Sequence, residues 1–368
     1  CMGGEKLGAR KLSKRYGLDA ARHYYACQAE AVELVRSIAA DARIEFNHQG
    51  EQEMVVAEKP SHYNELAEEC DFQRTQLGAE TFMLSKETFS ETHYDAPHQH
   101  GAMVQRPGFG LHPLKYCLGL GRAAQEHGAK LHDHSKVVGW EKSGSTHKLV
   151  TDAGGILRAK HIFVACNGFL EDELHSGLAG RALPLQSQII VTRPLSDNEL
   201  SAHGWKTQSP AINSRKVYQY YRMLPDNRFM IGGRADFKGT PEGAQKTKLQ
   251  LGKIFNELWP EWRDVEIEYD WRGFVCFTSR FTPTIGRLPD DPSVHFAFGY
   301  HGSGVSNATW SGRELARWLA TGNDQKSIIP KHLPAPVHGL SQAFPLPSLR
   351  PLYAKLGVGW EQFKDNWL

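Results

Sequence analysis

The stretch HFAFGYHGSGVSNATWSGRELARWL, His295 to Leu319, decides the reading of this chain. Three apolar residues, Phe296, Ala297 and Phe298, spell a short buried strand. A turn follows with Gly299, Gly302 and Gly304, and then a helix for which Ser306 or Asn307 is the expected cap. Leu315, Ala316 and Leu319 are spaced to face a core. Glycines ahead of a helix start let backbone N–H groups close on a ligand, and the helix dipole there favours negative charge. Such a turn suits a phosphate or the electron-rich edge of a flavin ring. It also serves as a plain tight connection.

Working outward, four more stretches stand in a fixed order before it: GFGLHPLKYCLGLGRAAQEHGAKL from Gly108, HIFVACNGF from His161, YYRMLPDNRFMIGGR from Tyr220, and WRGFVCFTSRFTPTIGRLP from Trp271. Together with the glycine turn they resemble the FAD-dependent amine and amino-acid oxidases of the D-amino-acid oxidase superfamily. The branch most similar is that of the bacterial gamma-glutamylputrescine oxidoreductases. The resemblance runs to about Gly322 and more loosely into the tail. It implies a mixed α/β fold, with an FAD-binding Rossmann-like domain beside a substrate domain built on a large, mostly antiparallel sheet. The expected FAD-binding segments are 1–42, 98–183 and 270–330, the substrate segments 43–97 and 184–269, and residues 331–368 a proline-rich wrap.

The family opens with a strand, a GxGxxG turn and a helix that hold the FAD pyrophosphate. This sequence opens at Cys1-Met2-Gly3-Gly4, and no GxGxxG precedes a helix in it. The expectation is a partial gene whose FAD domain lacks its first βαβ unit.

Bulk composition narrows the function classes. With 368 residues there is room for two cored domains. Charge is balanced, 43 basic against 41 acidic residues, so nothing points to nucleic acid. The 18 histidines include HQH and HDH clusters, yet no cysteine or carboxylate recurs at ligand spacing beside them, so no metal is expected. The 6 cysteines form no CxxC and no disulfide framework, the usage of a reducing compartment. No apolar run reaches the length of a membrane span, and the expected location is cytoplasmic.

Along the chain, apolar positions from Leu12 to Ala40 recur at helical steps, and Arg43 to Ala57 alternates around Gly50 as a hairpin would. Helices are expected over Ser61–Leu77, Ser85–Tyr94 and Gly243–Leu258. Another starts at Pro113, with Leu114, Cys117, Leu118, Leu120 and Ala124 as its apolar face. Strands are expected over Gly101–Val104, Ala129–Leu131, Val137–Glu141, Ile162–Ala165, Gln188–Thr192 and Val265–Tyr269. Hairpins join Lys148–Thr151 to Ile156–Ala159 and Lys216–Leu224 to Arg228–Gly232. Prolines crowd the sequence beyond Gly322, which excludes regular structure there.

The resemblance carries a set of site residues. Val137 and Val138 would meet the adenine through their backbone. Cys166, Asn167 and Gly168 would pack against the dinucleotide, Cys166 as a small residue rather than a nucleophile. Gly299, Tyr300, His301, Gly302, Ser303, Gly304, Val305 and Ser306 would cradle the flavin. Tyr218, Tyr220 and Arg222 share one face of a strand, and Tyr220 falls where glycine oxidases have a substrate-contacting tyrosine. Core packing is its other reading. His301 would donate to the ring or tune it, unless it only stacks on the turn. Arg280 offers an anion site or a salt bridge. Cys276 lines up with a cysteine that carries covalent flavin in sarcosine oxidases. The arginines with which amino-acid oxidases clamp a carboxylate fall here on Val275 and Gly302.

The implied activity is oxidation of a primary or secondary amine, gamma-glutamylputrescine-like, to an imine and aldehyde by hydride transfer to flavin N5. Oxygen or another acceptor would take the electrons. An N-methyl or D-amino-acid oxidase or dehydrogenase is the alternative. A non-catalytic fragment unable to retain FAD is an alternative of another class.

Overall fold

The computed structural model describes residues 1–3, 6–215, 217–236, 239–320, 332–346, 349, 350, 352, 355 and 356. The chain opens with α1 (Ala9–Tyr16) and α2 (Leu18–Asp41), then β1 (Glu53–Val56), α3 (Pro60–Leu77), β2 (Glu80–Leu84), α4 (Lys86–Thr92) and β3 (Ala102–Arg106). Next come α5 (Pro113–Glu126), β4 (Val137–Ser143), β5 (Thr146–Thr151), β6 (Ile156–Ala159) and β7 (Ile162–Val164). The middle holds β8 (Leu183–Pro194), α6 (Asp197–His203), β9 (Ala211–Asn213), β10 (Tyr220–Met223), β11 (Arg228–Arg234) and α7 (Pro241–Leu258). Last are β12 (Ile267–Phe277), β13 (Thr284–Arg287), β14 (Val294–Phe298) and α8 (Gly304–Ala320).

Three sheets result. The large one has eight strands in the order β12-β8-β11-β10-β9-β1-β3-β2. One face packs on α7 through an aromatic core in which Phe229, Phe255, Trp259 and Trp262 are all buried. A three-stranded sheet, β13-β14-β7, pairs β14 parallel to β7 and carries the strand of the opening stretch. All five residues of β14 are buried because a core of Ile162, Val164, Phe296 and Phe298 covers one face, while α8 packs on the other. That double cover is why the strand reads as an unbroken apolar run. The third sheet, β4-β5-β6, is antiparallel.

Several sequence expectations change. The single helix of Leu12–Ala40 is two, broken where Gly17 takes φ +88. Arg43–Ala57 is no hairpin: β1 pairs antiparallel with β3 and parallel with β9. Its alternation comes from the face it presents in the large sheet, and positive φ at Arg43, Asn47 and Gly50 bends the approach to it. Ala129–Leu131 lies in irregular chain. On α5, Leu114 and Leu118 face outward, and the buried residues are Tyr116 and Gly119, where the missing Cβ admits Ile44. Ser306 and Asn307 lie inside the first turn of α8 rather than capping it. Leu315 is buried beside Trp310 and Trp318, while Ala316 is exposed. The prolines do not exclude regular structure from the tail: Ala335–Val337 form a 3-10 turn behind Pro334, His338 bridges Ile285 of β13, and Leu333 and Val337 enter the core. Pro330, Pro347 and Pro351, and the expected domain end at 321–330, lie outside the described residues.

Candidate active site

The turn between β14 and α8 bends sharply, with φ +78 at Gly299, +54 at His301 and +112 at Gly302. Three backbone bonds hold it. Gly299 N donates to Asn167 Oδ1 at 3.0 Å, His301 N to Cys276 O at 3.1 Å, and Ser303 N to Tyr300 O at 3.0 Å. The Asn167 contact joins the two glycine-bearing turns that the sequence offered as cofactor segments. Tyr300 is buried, and Val305 packs at the edge of the core around Phe109. Ser306 Oγ donates to Met2 O at 2.7 Å and anchors the first turn of α8.

His301 is buried in this turn. Its Nε2 accepts from Thr278 N at 3.0 Å, which leaves the ring proton on Nδ1, and Nδ1 has no partner. Burial pushes the imidazole down to about 3, so it is neutral at working pH and supplies a fixed N–H donor. Proton shuttling is beyond it.

On the large sheet, Tyr220 lies over Gly232 of β11, where any Cβ would strike its ring, and its hydroxyl bonds Ser187 Oγ at 2.9 Å. The residue brought against the turn is Tyr218, two positions upstream. Its hydroxyl stands 3.3 Å from where a Gly302 Cβ would be, and the Lys6 ammonium sits 3.9 Å above its ring. The alternation of Tyr218 with Tyr220 and Arg222 was the signal for it in the sequence, although β10 itself starts only at Tyr220.

The two arginines are held by the fold. Arg222 gives Nη2 to Leu111 O at 2.6 Å and Nη1 to Gln49 Oε1 at 3.1 Å, in space left by Gly110. Arg280 gives Nη1 to His338 O at 2.6 Å and Nη2 to Pro283 O and Gly339 O. Instead of facing a substrate anion or a surface partner, it staples the tail to β13. Burial lowers both to about 10, so both stay charged. Cys276 is buried in the core behind the turn, and burial pushes its thiol up to about 12, far from a reactive thiolate.

A flavin fits the turn side. Gly304 has ordinary φ and no neighbour closer than 4.0 Å to an added Cβ, so the space above it is open. The first N–H groups of α8 supply donors beside that space, while His301 Nδ1 lies buried without a partner against Phe277 and Phe281. The dinucleotide side is less complete. Val137 is half-buried, while Val138, Cys166 and Phe169 are exposed, and the close approach at Gly168 is to Phe274 Cβ of β12. Among the described residues no group of three or more His, Cys, Asp or Glu could hold a metal, and no helix is long and apolar enough to cross a membrane.

Known proteins agree with this architecture. The family model for DAO, FAD dependent oxidoreductase, matches residues 8–318. A probable oxidoreductase OrdL of Haemophilus influenzae is 26% identical over 99% of this chain and 81% of its own length. The gamma-glutamylputrescine oxidoreductase of Escherichia coli K12 is 27% identical over 72% of this chain, which spans 59% of that relative. Among solved structures, glycine oxidase from Geobacillus kaustophilus superposes with a TM-score of 0.72 at 18% identity, over 87% of this chain and 84% of its own. The chain therefore belongs to the DAO family of FAD-dependent oxidoreductases.

Proposed function

We propose that this chain serves the oxidation of a primary or secondary amine of the gamma-glutamylputrescine kind, with segments 43–97 and 184–269 on the substrate side of the cleft. The carrying observation is the state of the arginines. Arg222 and Arg280, the two that could have clamped an α-carboxylate, spend their donors on backbone carbonyls and Gln49. A carboxylate entering this cleft would have to displace those bonds, each worth about 1.5–3 kcal/mol for a charged donor. An amine with an uncharged neighbouring carbon makes no such demand.

FAD, when bound, would supply the acceptor for the hydride of the amine C–H bond, one proton with two electrons, which oxygen or another acceptor would take up in turn. The residues do the rest. Gly299 to Ser306 present backbone donors and an open face to the ring. Tyr218 walls the site, its hydroxyl close to Gly302 of the turn and its ring under the Lys6 ammonium. Tyr220 backs that wall through Ser187. The imine product hydrolyses in water and needs no catalytic residue.

The test is a substrate panel on FAD-supplemented protein: gamma-glutamylputrescine, putrescine, sarcosine, glycine and D-alanine. The expected outcome is a kcat/KM for the amines above that for the amino acids by about tenfold or more. Equal or better turnover of the amino acids would replace this reading with an amino-acid oxidase.

A further inference from the structure

The sheet register places an unused carboxylate on the same sheet face as Tyr220 and Arg222. Met54, Ala211 and Tyr221 stand side by side across β1, β9 and β10 and point into the aromatic core. Side chains alternate along a strand, so Glu53, Val55, Tyr220 and Arg222 all point to the opposite, cleft face. Glu53 and Arg222 occupy one row, two strand spacings or about 10 Å apart. Glu53 is 3% exposed, and Gly108 backs it so closely that an added Cβ would lie 2.9 Å from its backbone nitrogen. Among the described residues its carboxyl makes no ion pair and no hydrogen bond.

An isolated carboxyl at full burial is costly unless something arrives to complete it. Burial pushes Glu53 up to about 8. The groups facing it are the Cys1 nitrogen, pushed down to about 5 by burial, Arg222 along the row, and Tyr218, raised to about 12 by burial first and then by Glu53. Among the described residues no cation completes Glu53, because the charged Arg222 is held by Leu111 O and Gln49 Oε1. Of these groups Tyr218 is the one that reaches the glycine turn, its hydroxyl 3.3 Å from where a Gly302 Cβ would lie.

We propose that Glu53 is a specificity-determining residue of the cleft, its carboxylate receiving the cationic nitrogen of an alkylammonium substrate. The inference rests on the amine reading above. As the ammonium enters, the carboxyl gives its proton to solvent and the ion pair forms, so binding near neutral pH releases one proton and changes no covalent bond in the ligand.

The probe is tert-butylammonium, which has no α C–H bond and cannot be oxidised, with tert-butanol as its neutral isostere. Calorimetry on FAD-supplemented full chain at pH 7, in two buffers of different ionisation enthalpy, counts the protons. The expected result is about tenfold preference for the ammonium and release of about one proton. Glu53→Gln should lose both, and Glu53→Asp should retain part of the preference. No proton release by the wild type, or an unchanged preference in a folded Glu53→Gln, overturns the assignment. The wild-type measurement decides even where the variant fails to fold. Because no turnover is involved, failure here is separate from failure of the substrate panel.

Discussion

Gly302 and Gly304 stand two residues apart in one turn and are glycines for different reasons. Gly302 takes φ +112, which a side chain disfavours whatever surrounds it. Gly304 has ordinary φ and open space, so the protein itself tolerates a side chain there. Gly304→Ala and Gly304→Val should therefore melt within about 0.5 kcal/mol of wild type while FAD affinity falls, as read by fluorescence titration. Unchanged affinity would move the ring away from this turn. Arg280 poses a different residue-scale test. Its guanidinium ties Pro283, His338 and Gly339 together, so Arg280→Met should lower stability by about 2–4 kcal/mol and open the segment around His338 to proteolysis. The KM of any substrate should hardly change. Glu53 adds a pH test. Its folded value lies above the usual 4.5, near 8, so its stabilising contribution is complete below pH 4.5 and is lost as pH rises through 8. Thermal melts of Glu53→Gln should lose less stability than wild type between pH 5 and 9.

At the scale of elements, α5 shows how a periodic pattern misleads. Leu114 and Leu118 recur at helical spacing, yet they are 59% and 65% exposed. Gly119, which carries no hydrophobic signal, is the point of closest packing because Ile44 fills its missing Cβ. Gly119→Ala should cost about 1–3 kcal/mol through overpacking. Leu118→Gln should cost under about 0.5 kcal/mol. Denaturant melts of the two variants decide between the faces, and the reverse order would restore the one that periodicity suggests. The same lesson holds for β1. Its alternation suggested a hairpin, but the strand takes distant partners, β3 and β9, because one face is wanted in the aromatic core.

At the scale of the molecule, the two ends of the expected cofactor are unequally served. The ring side has a hydrogen-bonded turn and open space at Gly304. On the dinucleotide side, β7 is an edge of its sheet, and Phe163, Val138 and Phe169 are exposed beside it. A pyrophosphate needs several backbone donors at a helix start, and no GxGxxG leads into a helix in this sequence. Residues 1–368 expressed by themselves are predicted to hold FAD weakly and to self-associate through the β7 edge, which is unpaired among the described residues. A visible spectrum taken after desalting checks the first point, and light scattering the second. Flavin retained in stoichiometric amount would mean that another segment supplies the phosphate donors.

Much was legible in the sequence because it is local. The strand–turn–helix of His295 to Leu319, the helix start at Pro113, and the hairpins β5–β6 and β10–β11 all follow from turn chemistry and short-range period, while the helices expected from Ser61 and Gly243 start at Pro60 and Pro241. The five ordered motifs were enough to indicate the family that the comparisons show. The site needed more. That Tyr218 rather than Tyr220 meets the turn, that Arg280 staples the tail, and that Glu53 stands without a partner on the cleft face all depend on strand register and on contacts between residues far apart in the chain. A side chain's type tells what it can bond. Only the packed chain decides whether a backbone carbonyl, a neighbouring ring or an incoming ligand is there to be bonded.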